Sequence, residues 1–402
     1  MSTFTVRSKD FKEALNKLAP IVGDNSQNLN DNCIFLENHP NNILAINVTN
    51  VNEFGTIDIV CSGNDFSNNG SNAFPIADFK RFKSIIDTIP DTDDVIVEGT
   101  PKGNLTIDYG TRCGKPITVT AMTSQFLSKP GMVNCDNITL ETNILKDALQ
   151  EAASIVQHDD VTIASCMFVT IAGNDVKMIS FDNSFGRVYK SESQTKYNNS
   201  KVQFLLRVKK LNKIFKMFNN ADDIEINITK DFIEILQGTK TNASALDDIR
   251  YYIRRINVAF PTAFDQLFDV KSIEWATLNV DDTLNSLKRS LAIEDNDLTT
   301  EIVTVNIKGS DVTIHKNSQY GDMTDTISSS TPVSVEVTDQ FKAKTLLEIV
   351  NNFKKDNIST FTIGKPILNV STTNSNGHFL LSQDGFNSPS QFVLLGQGKT
   401  TP

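Results

Sequence analysis

Residues 4–19 read FTVRSKDFKEALNKLA: a strand-like run, a small polar residue at Ser8, then an amphipathic helix. The same order recurs in ITLETNILKDALQEAASIV from Ile138 and in ATLNVDDTLNSLKRSLAI from Ala276. Ser8, Thr142 and Asp281 are the expected N-caps, because a short side-chain oxygen can accept from the open amides of a first turn. These starts lie 134 and 139 residues apart. A second helix series follows: FPIADFKRFKSIIDTI from Phe74, FLLRVKKLNKIFKMF from Phe204 and VSVEVTDQFKAKTLLEIVNNF from Val333. Its expected starts, near 77, 208 and 338, are offset by 131 and 130 residues. Two series with nearly one period indicate a tandem duplication.

Between the helices, short runs alternate apolar and polar residues: NILAINVTN, DVIVEG, NLTIDYG and PITVTAM, then DVKMISFD, DIEINIT and FIEILQG, then EIVTVNIKG, DVTIHK and FTIG. Period-two alternation punctuated by Gly, Asn and Asp implies half-buried antiparallel strands. The expectation is an α+β fold of three tandem domains, 1–128, 129–262 and 263–402, each with two helices packed on antiparallel sheets. Linkers are expected where proline interrupts the pattern, at FLSKPGMVNCDN (126–137) and NVAFPTAFDQLFDV (257–270).

A chain of 402 residues exceeds one ordinary core, and 39% hydrophobic with 21% charged residues is a globular composition. No apolar run approaches the roughly 20 residues of a membrane span, and MSTFTVRSKDF lacks a signal peptide's apolar core, so a cytoplasmic location is expected. The five cysteines, Cys33, Cys61, Cys113, Cys135 and Cys166, form no C-x-x-C pair, and the four histidines lack metal-ligand spacing. No metal or cofactor is expected. The terminal GQGKTT imitates a P-loop, but the first glycine of that motif would fall on Val393 and no helix follows. Carboxylate pairs such as Asp159/Asp160 and Asp247/Asp248 are expected in solvated loops without catalytic companions. IRYYIRRI (249–256) reads as an edge strand or inserted hairpin, with stacking on nucleic acid as the other possibility.

The net charge is −10, yet across the six expected helices Lys and Arg outnumber Asp and Glu by 15 to 10. In VKKLNKIFKMFNN (208–220), Leu211, Ile214, Phe215 and Phe218 share one arc while Lys209, Lys210, Lys213 and Lys216 occupy the other. In the second helix Lys80, Arg81 and Lys83 lie opposite Phe79, Phe82 and Ile86. A single such helix is an ordinary solvated face. Six backs biased positive in an acidic chain suggest a polyanion, and duplex DNA is bound by such a lining through counterion release without base reading.

In order and spacing the whole chain resembles the bacterial DNA polymerase III beta subunit, or sliding clamp, family. The resemblance runs through FTVRSKDFKEAL, HDDV at 158–161, MISFDNSFGRVYK at 178–190, Phe260-Pro261 and the terminal FVLLG. It implies a non-enzymatic processivity factor, a divergent member of phage or plasmid type, whose two chains close head to tail into a ring around duplex DNA. The helix cations Lys9, Lys12, Lys80, Arg81, Lys83, Lys146, Lys209, Lys210, Lys213, Lys216, Lys288, Arg289 and Lys342 would then face DNA, with His158 on a DNA-contacting loop. The loop GDNSQNLNDN lacks the arginine the family often uses there. SFDNSFGRV would match the family's partner-peptide turn through Phe181, Asp182, Arg187 and Val188, with Ile163, Pro261, Leu267, Val393 and Leu395 completing an apolar wall for polymerase and loader peptides. Phe181, Val393 and Leu395 serve equally as plain core residues, and the ending GQGKTTP departs from the family's apolar tail. The ring interface would set Arg112, Lys115, Ile117 and Val119 against Leu291, Ile293, Asp322 and Asp325 of a second copy. The alternatives are a structural or assembly protein built from repeated α+β domains, and a monomeric processivity factor with an open basic face.

Overall fold

The computed structural model describes residues 3–22, 32–39, 42–50, 52–62, 74, 76–99, 103–110, 115–122, 128–156, 162–182, 185–193, 201–238, 246–259, 268, 273–293, 301–365, 378–384 and 390–395. They form two compact units. The first comprises Met1–Asp147, Ser193–Ser200 and Lys210–Ile256; the second comprises Ala148–Glu192, Lys201–Lys209 and Asn257–Pro402.

In the first unit, β1 (Thr3–Arg7), β6 (Asp94–Gly99), β7 (Leu105–Tyr109) and β8 (Ile117–Val119) make a four-stranded antiparallel sheet in that spatial order. Alternation decides its faces: Val95 and Val97 of β6 are buried, and Ile96 between them is exposed. The second sheet runs β5 (Ala77–Asp78), β2 (Cys33–His39), β3 (Ile43–Asn50), β4 (Glu53–Val60), β16 (Leu246–Arg254), β15 (Phe232–Gly238), β14 (Asp223–Ile228) and β9 (Asp136–Glu141). It is two four-stranded sheets joined edge to edge, with Tyr252 of β16 opposite Phe54 of β4. Helix α1 (Ser8–Leu18) and the turn Ala19–Ile21 pack on β4. Gly55 permits this, since a Cβ there would meet Ile21 Cδ1 at 2.1 Å. Phe4, Phe11, Phe74 and Phe82 stack edge to face beneath α1 and α2 (Phe79–Asp87). Each such ring contributes roughly 1.5–3 kcal/mol by burial.

The second unit repeats the plan. Its eight-stranded sheet runs β13 (Val202–Arg207), β10 (Cys166–Ala172), β11 (Asp175–Asp182), β12 (Phe185–Glu192), β22 (Ser390–Leu395), β21 (His378–Ser382), β20 (Thr360–Gly364) and β17 (Ala276–Asn279). Here β12 and β22 make the join. Beside it stands a long hairpin, β18 (Ile302–Ser318) with β19 (Gly321–Lys342). Ile302 pairs with Lys342 just before a helix, as Cys33 pairs with Asp78 and Cys166 with Arg207. The hairpin is therefore the third copy of the β2–β5 arrangement. Its counterpart of β4 and β12, the strands that make the joins, is the first part of β19, which turns back on β18 at Ser318 and Gly321 as β4 turns back on β3 at Asn50 and Glu53.

The remaining helices are α3 (Thr142–Ala153), α4 (Val208–Ile214, continued by a 3-10 turn Phe215–Met217), α5 (Val280–Ala292) and α6 (Ala343–Lys355). Several boundaries differ from expectation. Ser8 does not cap α1: it is the first helical residue, and its hydroxyl reaches the Ile89 carbonyl. Thr142 is likewise the first residue of α3 and donates to the Asp222 carbonyl at 2.5 Å. Asn279, not Asp281, caps α5 by accepting from the Asp282 amide, and Asp281 instead pairs with Lys354. Residues 338–342 belong to β19, where ladder pairing with β18 outweighs their helical pattern, so α6 begins five residues late. EIVTVNIKG and DVTIHK fuse into the single strand β18 across a bulge. Finally, IRYYIRRI is neither an edge nor an insertion, because β16 is hydrogen-bonded on both sides.

Candidate functional site

In the first unit α1 and the α4 turn converge on a crevice of about 490 Å³ whose rim carries Lys9, Lys12, Lys17, Lys213 and Lys216. Lys17 is held by Glu13 at 2.9 Å, one helical turn away, and Lys12 by Asp91 at 2.7 Å. Among the described residues Lys9, Lys213 and Lys216 make no ion pair. Three uncompensated ammonium groups around one crevice repel one another, and an external anion relieves that repulsion.

The other expected cations divide by what they touch. Lys80, Arg81 and Lys288 are exposed, and Lys83 pairs with Asp87 at 2.5 Å. Lys146 donates to the Phe218 carbonyl at 2.9 Å and to Asn220, fastening α3 to the end of the α4 turn; burial pushes its ammonium below the usual range. It is a structural tether, not an open pore cation. Lys210 forms an ion pair with Glu53 and is likewise engaged; Lys209 is half-buried. Lys342 ends β19 one residue before α6, so it is not on a helix. Arg289 pairs with Asp325 at 2.6 Å, which ties an expected DNA contact to an expected interface residue within one chain. Arg289 remains largely exposed in this pair, and Asp325 is the more buried partner. His158 and the loop 23–31 lie outside the described residues.

In the second unit the expected peptide residues fall on two faces of one sheet. Phe181 pairs with Gly186, and Gly186 with Val393, so these side chains share a face with Val188. A Cβ on Gly186 would lie 2.9 Å from Phe181 and 3.1 Å from Val393. Glycine thus keeps a depression in an apolar floor where Ile179, Val188, Leu380 and Val393 gather around Phe268, with Leu395 packed beside them. The turn Ile163–Ser165 lies against β11. Arg187 is on the other face, since successive strand residues point oppositely. There it is buried, ion-paired with Glu151 at 3.0 Å, donating to Ser390 Oγ at 2.6 Å, with its guanidinium carbon 4.5 Å from the Phe392 ring centroid. A cavity of about 620 Å³ opens beside it, rimmed by Asp356 and Asp384. Arg187 therefore does not belong to the apolar wall. Pro261, Leu267 and the terminal GQGKTT lie outside the described residues; Phe268, next to Leu267, is the wall residue that the sequence did not single out.

For the sheet edges, β8 pairs only with β7 among the described residues, and β18 and β19 only with each other. Lys115 is exposed beside β8, Ile117 is half-buried and Val119 buried. Asp322 is exposed at the start of β19; Leu291 and Ile293 are half-buried near the end of α5. Arg112 lies outside the described residues.

No family model and no curated protein matches the chain. Solved structures do. The DNA polymerase sliding clamp of Bacillus subtilis superposes with a TM-score of 0.73 at 13% identity, covering 98% of this chain and 99% of that one. A putative DNA polymerase III beta subunit of Eubacterium rectale gives 0.74 at 16%, covering all of both chains. The DNA polymerase III subunit beta of Pseudomonas aeruginosa gives 0.74 at 11%, with 98% and 99% covered. The chain has the sliding-clamp fold from end to end, at a sequence distance where the fold is what the likeness carries.

Proposed function

We propose that this protein is a DNA sliding clamp: a non-enzymatic processivity factor that encircles duplex DNA and tethers a polymerase. The observation that carries the reading is the repeated sheet join. Twice, a β2–β5-type sheet meets a β1-type sheet edge to edge, through β4 with β16 and through β12 with β22. Among the described residues one sheet of each type is left unjoined, ending in β8 and in the β18–β19 hairpin. A second copy would join them by the same rule in both directions, closing a two-chain ring with no open edges. Three division-like repeats per chain, 1–128, 129–262 and 263–402, fit this plan. Lys9, Lys213 and Lys216 would supply sequence-independent attraction to the phosphates, helped by Lys80, Arg81 and Lys288. Polymerase and loader peptides would dock on the apolar floor around Phe181, Gly186 and Val393. The protein would act in a bacterial cytoplasm, its own or that of a host infected by a phage.

Two measurements test this. Light scattering should give about twice 44.5 kDa. Loaded protein should stay on closed circular duplex and run off when the circle is cut. A monomer with strong, salt-sensitive affinity for short linear duplexes would favour the open-faced reading, and a large polymer without DNA retention the assembly protein.

A further inference from the structure

The two sheet joins are built alike, yet one face of each is furnished differently. In the second unit Ile179, Val188 and Val393 form an apolar floor, and Phe268, from the segment leading into β17, is 2% exposed upon it. The positions in the same register of the first unit are Asn47, Thr56 and Tyr252. Asn47 pairs with Thr56 as Ile179 pairs with Val188, and Tyr252 lies opposite Phe54 as Val393 lies opposite Gly186. Here a cavity of about 550 Å³ stands on the sheet, bordered by Ser128 and Lys129 of the segment leading into β9. Among the described residues, the chain fills one join with its own aromatic side chain and sets none of that kind on the other.

The open floor has a definite chemistry. Glu37, Ala45 and Asp58 stand side by side across β2, β3 and β4. The small middle residue leaves a hollow between two carboxylates two strand spacings, roughly 9.5 Å, apart. Among the described residues Asp58 makes no hydrogen bond or ion pair. Glu37 has only His39 at 3.7 Å, a charge pair only when that ring is protonated. Two cations border the cavity without bonding Asp58: Arg250 is bonded to Asp248 at 2.7 Å, the Lys129 ammonium lies 5.5 Å from the Tyr252 ring centroid, and both act on Asp58 from a distance. Phe35 and Phe54 provide apolar walls.

We propose that this cavity is a second partner site, which receives an arginine side chain from an extended segment of another protein. The guanidinium lies between Glu37 and Asp58, and an apolar neighbour packs on Phe35 and Phe54. A planar fork with donors on both edges suits two carboxylates across a hollow better than a point charge does, and it stacks on aromatic walls. The occupant is a chain segment because that is what fills the equivalent position in the second unit. Burial already holds the Asp58 carboxyl above its usual range, with Arg250 drawing it back, so an arriving cation relieves a strained ionisation.

The test uses the full chain with labelled Ile and Ala methyl groups, titrated with a capped phenylalanine–arginine–phenylalanine peptide and its citrulline analogue. The arginine peptide should shift the Ile43 and Ala45 signals saturably, and the citrulline peptide should bind at least tenfold more weakly. The Glu37→Gln/Asp58→Asn double variant, whose remaining spectrum checks its fold, should lose the response while keeping DNA retention. Equal response to both peptides, an unchanged response in the variant, or shifts confined to Ile179 and Ile273 would overturn the proposal. Loss of DNA retention by wild type on circles would instead count against the clamp reading and leave this site standing.

Discussion

Lys210 on α4 forms an ion pair with Glu53 on β4, a carboxylate whose side chain is 1% exposed, and the Asn50 amide donates to the same oxygen at 2.8 Å. The most lysine-rich helix of the chain thus spends one of its four charges inside the protein. Removing a single partner of such a pair strands a buried charge.

Lys210→Met should therefore destabilise the protein by about 2–4 kcal/mol, discounted for the quarter-exposed lysine. Urea unfolding measures it. Restored stability in Lys210→Met/Glu53→Gln would show that the stranded carboxylate is the cause; a silent Lys210→Met would remove the pair from the structural account.

Lys213→Glu with Lys216→Glu should leave unfolding stability within about 0.5 kcal/mol, because neither side chain has a partner among the described residues. Loading on DNA should fall, and the slope of log affinity against log salt should drop by roughly one per lysine. Retained loading at wild-type salt sensitivity would take the crevice out of the DNA-facing surface.

Lys115→Glu or Asp322→Lys alone should weaken dimerisation roughly two- to fivefold, the range expected for exposed pairs worth ~0.2–1 kcal/mol. Together they should restore it. Sedimentation at several concentrations reads this directly, and absence of any rescue would place the two residues apart in the assembly.

Asp58→Asn should raise stability at neutral pH. Burial lifts the folded-state pKa of Asp58, so the folded protein holds that proton more tightly than the unfolded chain. The native carboxyl is stabilising below its unfolded pKa, and that contribution disappears as pH rises through the folded value. Thermal unfolding of both proteins should differ at pH 7 and converge in acid; a difference that persisted unchanged in acid would assign the effect to packing.

Gly186→Val should block the apolar floor against Phe181 and Val393 and cost about 1–3 kcal/mol through overpacking. Fluorescence titration with a hydrophobic polymerase-tail peptide should show binding abolished in the variant. Undiminished affinity would move the peptide site elsewhere.

Period and alternation were enough to read the helix–strand repeat, because both are local: Val95 and Val97 of β6 and Leu211 and Ile214 of α4 are buried as their spacing requires. Local signals also misled. TDQFK before α6 has a helical pattern, but its backbone pairs with residues 302–306 of β18. Arginines in IRYYIRRI suggested an open edge, yet β16 joins two sheets, and no local feature of a strand announces which distant strand will sit beside it. Lysine roles were the least legible. Lys210, Lys146 and Lys213 look alike in sequence, and only the positions of Glu53, Phe218 and Asn220 separate the tethered from the open ones. Arg187 was matched by motif and then turned away from its neighbours by a single step of the pleat.

On the proposed two-chain reading, the edges left unjoined among the described residues, at β8 and in the β18–β19 hairpin, would make the isolated chain bivalent. Two unlike, mutually complementary edges on one molecule can add head to tail without limit unless the curvature of each step brings the last edge back to the first. The twist at β4–β16 and β12–β22 would then decide between a closed pair of chains and a growing fibre. Mutations at those joins, on the proposed two-chain reading, would be the ones to turn a closed assembly into an aggregate.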